Sequence, residues 1–406
     1  MKALKKLNQF LHNEKEESVW RHSLLFIVKQ QGSGVPDRNL FDCSSGRVLI
    51  MPSPGGHYFL KKVIQKLLIF PDILLLLWWV YFYYKYNEVI FMCTAISYKT
   101  KTHYFGRNLD MDCSFGEDVV IMPRKFPFSF RCGKAVEAPF ALIGTALVKE
   151  GVPFFYDATN EKGLSMAGLN FVGNAYFPVP SDEGVNIAPF ELIPWVLMQC
   201  DSVRDAKKLL SETNIAHIDF SRDLPVAQLH WMISDEKGSL VLECTKEGMQ
   251  IYDNPLGVLT NNPPFPMQMF CLNNFMCLTN QPPVNSFCKS LDLKEYSHGM
   301  GAIGLPGDSS SSSRFVRVAF NKMNSVYQNS EQKRVSQFFH ILGSVSQLRG
   351  AVQLKGGAYE YTVYTSCCNT RKGIYYYTTY DNSTIRSVDM HEVDLDSEEL
   401  TVTTMV

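Results

Sequence analysis

The order of the periodic segments after residue 92 restricts the fold more tightly than any single motif. Strand-like runs come first: "HYFGRNLD" (103–110), "DVVIMPR" (118–124), "FALIGTALV" (140–148) and "GLSMAGLNFVG" (163–173). Two helical stretches follow. Pro189 to Gln199 carries Phe190, Ile193 and Val196/Leu197 at helical spacing, and "VRDAKKLLSET" starts behind Asp201 or Ser202 as N-cap. Strands return as "LHWMISD" (229–235), "SLVLECT" (239–245), "MQIYD" (249–253) and "GVLTN" (257–261). Two more helices, "RFVRVAFNKM" (314–323) and "RVSQFFHILGSV" (334–345), precede "YEYTVYTS" and "KGIYYYTTYD", a hairpin around Cys367 to Gly373. Blocks of strands separated by helix pairs lack the β-α-β alternation of a doubly wound parallel sheet. They predict an α+β domain of two packed sheets with helices outside.

Residues 1–91 have a different texture. Lys2 to Lys6 is basic, "QQGSGVP" (30–36) is loop-like, and the apolar run Ile73 to Tyr84 is short. A spanning helix needs about 20 apolar residues, and Pro71-Asp72 interrupts this run where it would have to lengthen. The run also sits too far from Met1 for a secretory signal, and Ile90, Phe91 and Met92 before Cys93 suit no signal or lipoprotein cut. A membrane association is disfavoured. With 39 basic against 40 acidic residues, the chain also lacks the footprint of a nucleic-acid binder. Its 11 cysteines show no zinc-type pairing and read as reduced, mostly buried thiols.

Gly299-Met300-Gly301-Ala302-Ile303-Gly304 matches G-x-G-x-x-G. A dinucleotide site requires that pattern to leave a strand and open a helix. Here it runs into "LPGDSSSSS", so a loop is expected. H-E-x-x-H, C-x-x-C and G-x-S-x-G are absent. Cys93 remains. As the first residue of a chain, its thiol would have a base at hand in its own α-amine, which titrates near pKa ~8.

The stretch "MCTAISYKTKTHYFGRNLD" resembles the start of the choloylglycine hydrolase family, the bile salt hydrolases and their penicillin V acylase relatives. "NEKGLSMAGLNF", "LHWMISD", "GVLTNNP", "GLPGDSSSSSRFVRVAF" and "YTSCCNTRKGIYYYTTYDN" extend the resemblance from Met92 to about Met390. It implies the N-terminal-nucleophile hydrolase fold, a four-layer αββα sandwich of two antiparallel sheets with outer helix pairs. It implies Cys93 as nucleophile, Arg107 and Asp110 as a charged pair beside it, Asn170 and Asn261 as oxyanion asparagines, and Arg314 as a late arginine near the sulfur. A cation there favours thiolate, and one oxyanion donor is worth roughly 3 kcal/mol of barrier. Ser309 to Ser313 then becomes a loop with a capping serine rather than a linker, with Arg314 in a first turn above an apolar face of Phe315, Val318/Ala319 and Lys322/Met323.

The implied reaction is hydrolysis of the amide joining a bile acid to glycine or taurine, as in glycocholate or taurocholate, through a thioester on Cys93. It needs no metal or organic cofactor. The loops Phe171 to Phe177 and Phe265 to Phe275 are candidate pocket walls, and family members are often homotetramers. Residues 92–406 are then a cytoplasmic bacterial catalytic domain. Residues 1–91 are an extension outside the mature protein, most simply translated upstream DNA before a true start at Met92. Two alternatives stay open: an acylase-like preference for another acyl amide, and a non-enzymatic, membrane-tethered protein that keeps residues 1–91.

Overall fold

The computed structural model describes residues 92–131, 136, 139–354 and 357–406. The expectations for the apolar run at 73–84, the loop at 30–36 and the segment 1–91 as a whole lie outside the described residues. Strands follow one another as β1 (Met92–Lys99), β2 (His103–Met111), β3 (Asp118–Met122), β4 (Leu142–Lys149), β5 (Val152–Asn160), β6 (Ser165–Asn170), β7 (Val185–Ile187) and β8 (Thr213–Ile215). They continue with β9 (Leu229–Ser234), β10 (Ser239–Thr245), β11 (Gly248–Asp253), β12 (Val258–Leu259), β13 (Val352–Gln353), β14 (Tyr359–Asn369), β15 (Ile374–Thr379), β16 (Arg386–Asp389) and β17 (Thr401–Thr404). Among the described residues the α-helices are α1 (Leu192–Leu197), α2 (Val203–Ser211), α3 (Phe265–Cys271), α4 (Ser311–Met323) and α5 (Glu331–Gly343).

Two antiparallel sheets form the centre. One has seven strands ordered β12-β1-β2-β14-β15-β16 with β13 beside β14, and the other has eight, ordered β11-β10-β9-β6-β5-β4-β3-β17. A small parallel pair, β7 and β8, stands apart. Apolar side chains of α1 and α2 pack on the eight-stranded sheet, and those of α4 and α5 on the seven-stranded one. Ala167, Leu169, Met232 and Val241 from one sheet meet Ala95 and Leu109 from the other in the space between them. This is the expected αββα sandwich of α+β class. Because each sheet is covered on both faces, β2 is buried along its whole length, charged residues included.

Local chemistry explains the helix boundaries. Ser202 caps α2 by accepting from the Asp205 N–H at 3.3 Å, and Ala206 and Leu210 form its buried stripe. Ser330 caps α5 in the same way. Helix α4 differs from the capping-serine expectation: the Ser310 side chain makes no capping bond, and Asp308 instead accepts from the Ser310 N–H at 2.9 Å and the Ser313 hydroxyl at 2.5 Å. Phe315, Val318 and Ala319 are buried as expected, whereas Met323 is exposed. The last hairpin turns over 370–373, leaving Cys367 and Cys368 inside β14 as buried free thiols. Cys93, Cys200 and Cys244 are buried thiols too. Segment 299–304 is an exposed to half-buried 3-10 turn, Met300–Ala302, and joins no strand to an α-helix. Among the described residues no helix is long and apolar enough to cross a membrane.

Candidate active site

Cys93 is the second residue of β1 and lies opposite Leu109 of β2. It is buried, and strand alternation places its side chain on the inter-sheet face with Ala95 and Leu109. Arg107, opposite Ala95, shares that face. Its guanidinium crosses to the other sheet and donates to the carbonyls of Tyr156 at 3.0 Å and Gly168 at 2.5 Å. Gly106 allows the neighbouring strand to come close enough to fix this arginine. A Cβ at Gly106 would stand 2.1 Å from the Ser366 carbonyl oxygen, and Ser366 Oγ accepts the Arg107 N–H at 3.1 Å. Burial opposes the charge of Arg107. Cys93, Tyr364, Asp157 and Asp110 nonetheless hold it above the ordinary arginine value.

Asp110 lies three residues beyond Arg107, so alternation turns it to the opposite, helix-covered face. The expected charged pair therefore acts on Cys93 from two sides of the strand and not as one contact. Thr362 of β14 donates to Asp110 Oδ1 at 2.6 Å, while Oδ2 is buried without a partner. Burial pushes this carboxyl up to about 6, against the pulls of Arg314, Thr362 and Arg107.

Arg314, in the first turn of α4, is wholly buried. It donates through Nη1 to the Cys93 carbonyl at 2.6 Å and Thr94 Oγ1 at 2.7 Å. Nη2 reaches Asn261 Oδ1 at 2.7 Å, and Nε the Ser309 carbonyl at 3.0 Å. It clamps the backbone behind the sulfur. The serine run supplies part of this scaffold, since Ser311 Oγ also accepts the Asn261 N–H at 2.9 Å.

Asn261 follows β12, which pairs with β1, and so arrives beside Cys93. Its Oδ1 accepts the Cys93 N–H at 2.8 Å, and its Nδ2 donates to the Asn170 carbonyl at 2.8 Å. An amide nitrogen has two N–H groups, so one remains for a ligand oxygen. Asn170 closes β6, and its backbone hydrogen-bonds the Cys93 thiol. Five of the six sequence-predicted residues thus meet at Cys93, and Asp110 acts on it through charge from the opposite face of the sheet.

Arg107 and Arg314 favour the thiolate, as cations beside a sulfur do, but they act against burial. Burial pushes the Cys93 thiol up, Asp110 adds to that push, and Arg107, the Asn170 backbone and Arg314 pull it down without prevailing. The cations do not yield a resting thiolate. Such a thiol attacks only if a base takes its proton as the bond forms.

Of the two expected pocket walls, 171–177 is a loop at whose ends Phe171 and Phe177 are buried in the core, Phe171 stacking on His230 at 4.3 Å. The 265–275 segment is no loop: Pro264 and Pro266 occupy the entry of α3, where a missing N–H costs nothing. Asn262, just ahead of α3, is tied to the first wall, donating to the Val172 carbonyl at 2.8 Å and accepting from Asn174 Nδ2 at 2.9 Å. Met267 and Phe270 of α3 stay exposed. Sequence reasoning missed Thr362, which holds Asp110, and Glu360, which accepts from the Met92 N–H. It also missed Asp157, which binds Tyr364 and Tyr375 at 2.7 Å each near Arg107. Among the described residues no group of three or more His, Cys, Asp or Glu side chains is placed to hold a metal ion.

A family model described as linear amide C-N hydrolases, choloylglycine hydrolase family, matches residues 93–403. The chain belongs to the choloylglycine hydrolase family. As a member it is a hydrolase of linear amide C–N bonds. It is 53% identical over 309 residues to a bile salt hydrolase/transferase of Lactiplantibacillus plantarum, covering 76% of this chain and 95% of that one. A bile salt hydrolase/transferase of Clostridium perfringens is 38% identical over 315 residues, covering 76% and 95%. Among solved structures, a variant of the conjugated bile acid hydrolase from Clostridium perfringens superposes with a TM-score of 0.72 at 35% identity, covering 77% of this chain and 97% of that one. A penicillin V acylase from Agrobacterium tumefaciens shares the fold, with a TM-score of 0.61 at 18% identity and coverage of 77% and 90%. The family match begins at Cys93 itself.

Proposed function

We propose that this choloylglycine hydrolase family member cleaves the amide bond of glycine- or taurine-conjugated bile salts, with Cys93 as an amino-terminal nucleophile. The observation that carries the reading is the convergence of Asn261, Asn170 and Arg314 on Cys93. Its N–H, its carbonyl and its sulfur each meet one of them. The 53% identity to a bile salt hydrolase/transferase supports the substrate class.

The geometry supports one mechanism. A raised thiol needs a base within reach, and a free α-amine on Cys93 is the nearest one, two bonds from the carbon that bears the sulfur. The amine takes the thiol proton and sulfur attacks the amide carbonyl. The second Nδ2 N–H of Asn261 receives the oxyanion, worth roughly 3 kcal/mol for one such donor. The protonated amine then gives its proton to the departing glycine or taurine nitrogen, and water hydrolyses the thioester. Arg107 and Arg314 hold the strand and sulfur in register.

This chemistry requires that residues 1–91 and Met92 be absent from the working enzyme, with 93–406 as the catalytic domain. The 171–177 loop and the exposed face of α3 at Met267 and Phe270 line the path of the steroid. A homotetramer in the cytoplasm is the proposed assembly, and the near-full exposure of Val284, Phe287 and Tyr296 supports a subunit contact there. The test is release of glycine from glycocholate. Wild type should turn over and Cys93→Ala should show no activity above background, with phenoxyacetyl amides as a competing substrate. Turnover of the penicillin-type amide alone, or full activity in Cys93→Ala, overturns the reading.

A further inference from the structure

Glu360 has no assigned part in this chemistry, yet it occupies a decisive place. It shares a face of β14 with Thr362. Thr362 lies opposite Asp110 of β2, and Asp110 lies opposite Met92 of β1. Glu360 is 1% exposed, and its Oε1 accepts the backbone N–H of Met92. On the same face, Asp110 Oδ2 is buried without a donor. Two buried carboxyls therefore face the backbone on the amino side of Cys93, and one of their oxygens is unsatisfied. Leaving such an oxygen unpaired is costly. A peptide nitrogen offers one N–H, and the Cys93 N–H is already given to Asn261 Oδ1. A primary amine offers more, and its protonated form has three.

We propose that Glu360 is a positioning residue for the amino group of Cys93: with Met92 gone, its carboxyl and Asp110 Oδ2 accept the newly formed N–H groups, orient the amine and set its proton affinity. The proposal rests on the function proposed above. Met92 N and Cys93 N are one residue apart, which places Glu360 Oε1 within roughly 6 Å of the amine. While Met92 remains, burial and Asp110 push Glu360 up to about 8, against the pulls of the Met92 N–H and Arg314. The charged surroundings are otherwise balanced. Arg107 approaches from the inter-sheet side with Tyr156 of β5, Arg314 from α4, Asp110 from β2 and Asp112 just beyond it. The arginines favour the neutral amine and the carboxylates its protonated form, so Glu360 weights that balance toward the proton.

The experiment compares pH profiles of kcat/KM for glycocholate in wild type, Glu360→Gln and Glu360→Asp. The neutral amine is the base, so its titration forms the acid limb. Glu360→Gln should move that limb down by about one pH unit with KM unchanged, and Glu360→Asp, which keeps the charge but holds it farther off, should move it the same way by less. A purely structural role would lower the melting temperature and leave the limb in place, which would overturn the inference. If Glu360→Gln does not fold, titration of the 15N-labelled Cys93 amine in Glu360→Asp decides. A pKa equal to wild type to within 0.1 despite the ~1 Å shorter side chain, with no change in amine chemical shift, overturns it, and a displaced pKa or shift supports it. Wild-type turnover by a chain starting at Cys93 is the control. Its failure sinks the proposed function, whereas an unmoved limb in active enzyme sinks only the role of Glu360.

Discussion

Replacing Arg314 by lysine separates two accounts of what that residue does. If it serves only as a positive charge near the sulfur, lysine suffices. The structure gives it a different role, because one guanidinium makes four hydrogen bonds, to the Cys93 carbonyl, Thr94 Oγ1, Asn261 Oδ1 and the Ser309 carbonyl. A lysine ammonium is a point donor and cannot reproduce that planar fork. At least two of the four bonds should be lost, each worth about 1.5–3 kcal/mol when the donor is charged. At the low end this is about 3 kcal/mol. If it falls on the positioning of Cys93 and Asn261, kcat/KM drops roughly a hundredfold at 1.4 kcal/mol per tenfold. Arg314→Met should lose still more, because Asp110 also loses its largest downward pull and titrates higher. The assay is glycine release from glycocholate, with a thermal melt to confirm folding. A lysine variant that is folded and keeps a third or more of wild-type kcat/KM would refute the clamp.

Other perturbations probe the scaffold. His103, buried against Ser97 at 2.8 Å and Thr370 at 3.0 Å, is depressed to about 4, chiefly by burial. The unfolded chain binds this proton from about 6.5 downward and the folded one does not. Stability should therefore be complete above that pH and fall by roughly 3 kcal/mol as pH drops to 4. Urea unfolding at both pH values should show the loss, and His103→Gln should reduce it. Gly106→Ala forces a methyl onto the Ser366 carbonyl. It should destabilise by about 1–3 kcal/mol or more, visible as a lower melting temperature. An unchanged melting temperature there would mean that β2 and β14 are not in close contact.

Much of the layering was legible because strand alternation and helix spacing are local signals. "VRDAKKLLSET" behind Ser202 and the apolar stripe of α5 read as helices and are helices. The site itself was legible only through motif resemblance, since nothing in "GLNF" or "LTNNP" alone separates a functional asparagine from a turn residue. Where the reading missed, tertiary covering was the cause. Prolines near Phe265 read as loop, but at a helix entry they are compatible with α3. Met323 sits in the expected stripe, yet no layer covers the end of α4. Glu360, between two tyrosines in a strand, carries no local sign of its place. It is buried beside Asp110 and the Met92 N–H, across the sheet from β14, a long-range placement that no local pattern carries.

A free amine at Cys93 is the central requirement of this chemistry, and intact mass spectrometry of the purified, active enzyme measures it directly. The predicted result is a single mass for residues 93–406. When the enzyme is quenched during glycocholate turnover, a second species should carry one cholyl group on the peptide that begins at Cys93. Full turnover by a chain that retains Met92 and the residues before it would contradict that requirement.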